Sequence, residues 1–119
     1  MKGYNRVMLG RKSKHADECI QGGFIGADYD ITQDLSGELV ENWRDFNAKF
    51  RPIWLEIYPD RSKIAAGLSC GMLWTLCKGL RIGDMVISPD GTGSYAVGEI
   101  TSEYRYEPGS FLPHRRDVQ

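Results

Sequence analysis

The chain has 119 residues, 41% of them hydrophobic and 26% charged, with three cysteines and a formal net charge of -1. That composition excludes disordered, collagen-like and coiled-coil chains, and an odd, widely spaced set of cysteines does not make a disulfide framework. No apolar run approaches the roughly 18–20 residues of a membrane span, and the basic start lacks the apolar centre of a signal peptide, so one cytoplasmic domain is expected, without a membrane partner. Near-neutral charge argues against nonspecific coating of nucleic acid. The charge is unevenly spread, however: residues 2–14 carry five basic groups and no acid, and residues 17–41 carry seven acids and no base. One positive and one negative face follow.

In chain order, Arg6-Val7-Met8-Leu9-Gly10 reads as a short buried strand, followed by the polar turn Arg11-Lys12-Ser13. Ser13 is placed to cap a helix whose apolar face is Ala16, Cys19 and Ile20, and Gly22-Gly23 stops it. Phe24-Ile25-Gly26-Ala27 is a second strand. From Ser36 the spacing of Leu39, Val40, Trp43, Phe46 and Phe50 predicts an amphipathic helix ended by Pro52, with Trp43 in the core. Residues 52–59 read as irregular or helical. Residues 62–68 and 72–78 read as two short helices because Gly67 and Gly71 each weaken a helix by about 1 kcal/mol, with Gly79 as the terminal cap. The last third is β: residues 84–88 and 95–100 flank Pro89-Asp90-Gly91-Thr92-Gly93, a hairpin turn, and residues 114–119 form a strand that stops abruptly, as in a domain excised from a longer protein.

Catalytic signatures are absent: there is no Walker loop, dinucleotide fingerprint, zinc-protease motif or nucleophile elbow. Cys70 and Cys77 stand about 10 Å apart along a helix, too far for a disulfide, and read as core. His15 and His114 read as surface or binding residues, Gly83-Asp84 as a tight turn into the sheet, and Trp54 and Trp74 as either pocket or core. No catalytic residue, metal site or cofactor is expected.

The order of elements and three short motifs resemble the PUA-like superfamily, especially the EVE and YTH modified-base readers and the N-terminal domains of restriction-system proteins. The motifs are Val7-Met8-Leu9-Gly10-Arg11-Lys12-Ser13 leading to Gly23-Phe24-Ile25-Gly26, the helix end at Trp74 to Ile82 running into Gly83-Asp84-Met85-Val86-Ile87, and the return Tyr95-Ala96-Val97-Gly98-Glu99-Ile100 with Tyr104-Arg105-Tyr106 and His114-Arg115-Arg116-Asp117-Val118. The resemblance covers nearly the whole chain outside residues 36–69. It implies a single α+β domain over residues 1–119, a small mixed β-barrel flanked by helices with a helical insertion, taken from the N-terminal part of a longer protein.

It also implies a noncatalytic specificity module of a modification-dependent restriction or phage-defence system. Such a module binds DNA carrying a modified base, for instance a methylated one, and flips that base into a pocket. The effector nuclease or ATPase lies elsewhere in the full-length chain. The implied pocket is Arg11, His15, Phe24, Ile25, Gly26, Trp74 and Tyr104, and the phosphate-facing residues are Lys2, Arg6, Arg11, Lys12, Lys14, Arg105 and Arg115. Ile25 departs from the pattern, since methyl-reading members tend to have tryptophan there. The alternatives are an RNA- or small-ligand-binding module of the same fold, or a protein-interaction domain using the acids around Glu38, Glu41 and Asp45.

Overall fold

Six short strands and three helices are built from residues 4–119, the part of the chain that the computed structural model describes, apart from the side chains of Tyr4 and Arg11. The fold class is α+β. One sheet has the order β1-β3-β4, where β1 (Tyr4–Arg6) runs parallel to β3 (Met85–Pro89), and β3 forms an antiparallel hairpin with β4 (Tyr95–Glu99). The other has the order β2-β6-β5, where β6 (His114–Asp117) pairs antiparallel with both β2 (Phe24–Ala27) and β5 (Arg105–Tyr106). The sheets meet at a seam where Glu99 and Gln119 exchange backbone hydrogen bonds and Ile100 bridges Val118. Among the described residues they do not close a barrel.

The hairpin is where its turn chemistry puts it: Asp90 accepts from the backbone and hydroxyl of Thr92, at 2.8 and 2.7 Å. The first strand is displaced from the expected 6–10 to Tyr4–Arg6. Val7 N–H still donates to Ile87 C=O at 3.0 Å, but in this register the next ladder bond would need an N–H on Pro89, which has none. Gly23, at φ 72, ends α1 (Ala16–Gly22) by donating back to Cys19 and Ile20. Ser13 does not cap this helix. It is itself left-handed and buried, and the cap position belongs to His15 without a side-chain bond.

The insertion differs most from expectation. α2 (Trp43–Ile57) begins seven residues later than Ser36, where the Asn42 side chain accepts from Arg44 N–H at 2.9 Å, and it runs through Pro52. Proline forfeits the bond to the carbonyl four residues earlier, but Pro52 and Ala48 both lie exposed, so water satisfies that group. Phe46, Phe50 and Trp54 form the buried stripe, whereas Trp43, expected in the core, is 44% exposed. α3 (Lys63–Trp74) is one helix, not two, capped by Ser62 on Ala65 N–H. The cost of Gly67 and Gly71, about 1 kcal/mol each, is offset where α3 buries Ala66, Cys70 and Leu73 in the same core as α2 and where Gly67 C=O accepts from Asn47 Nδ2 at 3.1 Å. A π-turn, Thr75–Gly79, then carries the chain toward β3.

The π-turn rests on Arg116. This side chain is 1% exposed, and its Nη1 donates to the carbonyls of Leu76 (3.2 Å) and Leu80 (2.6 Å) while Nε donates to Ser102 C=O (2.7 Å). A guanidinium among outward-turned carbonyls at a helix end is favourable charge–dipole pairing. No helix among the described residues is long and apolar enough to cross a membrane.

His114, expected at the surface, is completely buried. Its Nε2–H donates to Ile31 C=O, its Nδ1 accepts from the Tyr104 hydroxyl at 2.8 Å, and that hydroxyl accepts from Leu35 N–H at 3.1 Å. Tyr106 donates to Thr32 C=O alongside. These bonds tie residues 31–35 to β5 and β6, and burial favours the neutral imidazole among them. Burial holds the His114 pKa below its usual 6.5. The unfolded chain therefore binds more protons below pH of about 6.5, and stability is expected to be full above that pH and to fall as pH drops from it toward the depressed native value. Urea midpoints between pH 8 and 5 check this, with His114→Gln expected to flatten the dependence. Equal slopes in both proteins would contradict it.

Candidate functional site

An open-mouthed cavity of about 810 Å³ lies between β1 and α3. Its aromatic walls are Tyr29, Trp43 and Trp74, its aliphatic walls include Met8, Leu68 and Met72, and Asn5, Arg6 and Thr75 bring its few polar groups. Sheet topology opens this space, because β1 has a neighbour on one edge only. Ile64, Leu68 and Met72, four residues apart, form the exposed stripe of α3, and two of them line the cavity.

Trp74 is held in place from two sides. Its Nε1–H donates to Val40 C=O at 2.9 Å, and a methyl group on Gly79 would stand 2.9 Å from its Cζ3. The segment behind Val40 is anchored by ion pairs from Glu38 to Lys49 and from Glu41 to Lys78. Gly79→Ala is accordingly expected to displace the indole and cost about 1–3 kcal/mol through overpacking, read as a shift in tryptophan emission together with a lower Tm. Trp43 is nearly half exposed, with the Arg44 guanidinium over its ring, 4.9 Å from the centroid. Tyr29 has φ 44, a strained value for a side chain of its size, and burial raises its phenol pKa, keeping the hydroxyl neutral. Neither Arg6 nor Arg44 has a carboxylate partner among the described residues.

Of the six expected pocket residues whose side chains are described, Trp74 alone lines this cavity. Phe24, Ile25 and Gly26 are buried in β2, where Phe24 and Ile25 border a separate cavity of about 230 Å³ between the sheets, together with Leu9, Val86 and Ser88. His15 packs on Phe111 at 4.3 Å, and Tyr104 belongs to the His114 network. The Arg11 side chain and Lys2 lie outside the described residues.

The expected phosphate-facing residues divide similarly. Lys12 and Lys14 are exposed on a turn where Lys12 (φ 55) and Ser13 (φ 61) are both left-handed, a conformation costing about 1–3 kcal/mol per residue and concentrated at functional loops. Arg6 is exposed at the cavity. Arg105 is neutralised by Glu107 and Asp117. Arg115 is committed to packing: its guanidinium lies 4.0 Å from the Phe24 ring and 5.3 Å from Phe111, and its Nε donates to Leu112 C=O.

A family model described as a domain of unknown function, DUF8426, matches residues 6–119. The chain belongs to this family. No curated protein and no solved structure matches it.

In this DUF8426 member the thiols are poor nucleophiles, since burial pushes Cys19 and Cys70 up to about 11 and Cys77 higher still. Among the described residues no group of three or more metal-ligating side chains lies together. Chemically, the cavity can stack a flat ring on indole and place an anionic group beside Arg6. Sequence reading offered Tyr29 among several aromatics that could line a pocket and missed Trp43, Met8 and Leu68. The one local signal was the apolar series Ile64, Leu68, Met72, offset on α3 from the series Ala66, Cys70, Leu73.

Proposed function

We propose that the domain is a noncatalytic DNA reader that accepts a modified base, flipped out of the duplex, into the cavity between β1 and α3. The observation that carries this reading is the convergence of Tyr29, Trp43 and Trp74 on one cavity with an unpaired arginine, Arg6, on its wall. A flipped base loses a few kcal/mol of stacking and pairing, and aromatic faces return about 1–3 kcal/mol per base. The strained turn bearing Lys12 and Lys14 faces the phosphates. It follows Met8, a lining residue, by four positions, at most about 14 Å of chain. The resemblance to PUA-like readers supports the same role, as the specificity module of a modification-dependent restriction or defence protein whose nuclease or ATPase lies in another part of the full-length chain.

Binding of duplexes over a range of salt concentrations tests this. Replacing Lys12 and Lys14 with alanine is expected to weaken binding to every duplex alike and to reduce the slope of log K against log salt by about 0.9 for each phosphate no longer neutralised. An unchanged slope moves the phosphate face elsewhere. The exposed α3 stripe, which continues past the cavity to Ile64, favours a protein partner as the second reading, and affinity for an apolar partner does not fall steeply with salt.

A further inference from the structure

Resting on that reading, we infer that the base taken into the cavity carries a bulky substituent of several heavy atoms, and that a single added methyl group is not what this domain senses. Discrimination of one methyl group, about 1–3 kcal/mol at best, arises only where the pocket wall closes on that group in van der Waals contact. The cavity is not of that kind. At about 810 Å³ it lies in the upper part of the range of pockets that enclose drug-sized ligands, roughly 300–1,000 Å³, and far exceeds one ring.

Its lining is also unequal from side to side. Trp74 is fixed by its bond to Val40 and by packing on Gly79, so it offers a rigid stacking face. Opposite chemistry is supplied by Met8, Leu68 and Met72, all substantially exposed. Two of these are methionines, whose unbranched thioethers adapt to irregular shapes without a fixed complementarity. A ring stacked on indole leaves this adaptable aliphatic side to be covered by whatever the base carries. Thr75, beside Trp74, donates its hydroxyl to Gly71 C=O, so toward a ligand it can only accept.

The smaller cavity between the sheets has the opposite character. It measures about 230 Å³, is walled by Leu9, Phe24, Ile25, Val86 and Val118, and includes Ser88, whose buried hydroxyl has no partner among the described residues. A methyl-sized mark would be read in a slot of that size, and this supplies the alternative outcome.

The test uses the 119-residue chain and duplexes differing at one cytosine C5 or one adenine N6: unmodified, methylated, and substituted with a phenylethyl or glucosyloxymethyl group at the position that accepts it. The methylated duplexes are expected to bind within about twofold of the unmodified ones, and at least one bulky duplex at least tenfold more tightly. Leu68→Trp, which fills the cavity from an exposed position, is expected to abolish the bulky preference while leaving Tm and the salt dependence unchanged. A tenfold preference for a methylated duplex overturns the inference while leaving the reader role standing, and binding that no substituent changes overturns both. Methyl preference that survives Leu68→Trp places the base in the smaller cavity. Failure of every duplex to bind removes the reader role, and the inference with it.

Discussion

Arg116→Met is expected to destabilise the domain by about 3–5 kcal/mol, a large part of the roughly 5–15 kcal/mol by which a domain of this kind is stable. Methionine approximates the length of the aliphatic stem but donates nothing. The carbonyls of Leu76, Leu80 and Ser102 would lose their donor at once, and the first two belong to buried residues. Each buried acceptor left unsatisfied costs about 1–3 kcal/mol, with partial relief as the π-turn relaxes. Because Trp74 and Thr75 stand at the head of that turn, the damage is expected to reach the cavity. Arg116→Lys should recover only a fraction, since one ammonium cannot span carbonyls on two separate segments. Denaturant unfolding followed by tryptophan fluorescence measures both. A loss below about 1 kcal/mol for Arg116→Met would show that the guanidinium is ornamental to the turn.

Trp43→Ala and Trp74→Ala are expected to separate binding from folding. Trp43 is nearly half exposed and makes no side-chain hydrogen bond among the described residues, so its removal should leave Tm almost unchanged. Loss of a stacking face, about 1–3 kcal/mol, predicts a Kd for the preferred duplex higher by about 5- to 150-fold. Trp74→Ala should cost binding by a similar factor and also about 2 kcal/mol of stability, because it empties a half-buried position and gives up the bond to Val40 C=O. Trp74→Phe keeps a stacking face and gives up the hydrogen bond, so affinity should recover more than stability. If neither Trp43→Ala nor Trp74→Ala weakens duplex binding, the base does not stack here and the cavity loses its assigned role.

Several features of the chain were legible locally because local chemistry decides them. Gly23 ends α1 since only a residue tolerant of the left-handed region closes that cap cheaply, and Asp90 with Gly91 and Gly93 makes the β3–β4 turn. The apolar run Phe24-Ile25-Gly26-Ala27 announced a strand, and the spacing of Phe46 and Phe50 an inward helix stripe, which in the structure continues to Trp54. Periodicity reports which residues share a face and leaves open what that face meets. Trp43 continues the stripe of α2 by spacing, yet its first helical turn projects past the core, so the indole reaches solvent beside the cavity.

What depended on long-range packing had no signature in the sequence. Tyr29, Trp43 and Trp74 become neighbours because β1 is an edge strand and α3 lies across from it, a juxtaposition of segments far apart in the chain. The polar residues His114 and Arg116 alternate along β6 in a pattern that reads equally well as solvent-facing. They are buried because carbonyls of Ile31, Leu76 and Leu80, supplied by other segments, need donors away from water. Backbone hydrogen-bond demand of that kind exists only once the chain has folded, and it decided both the position of the site and the residues that hold it.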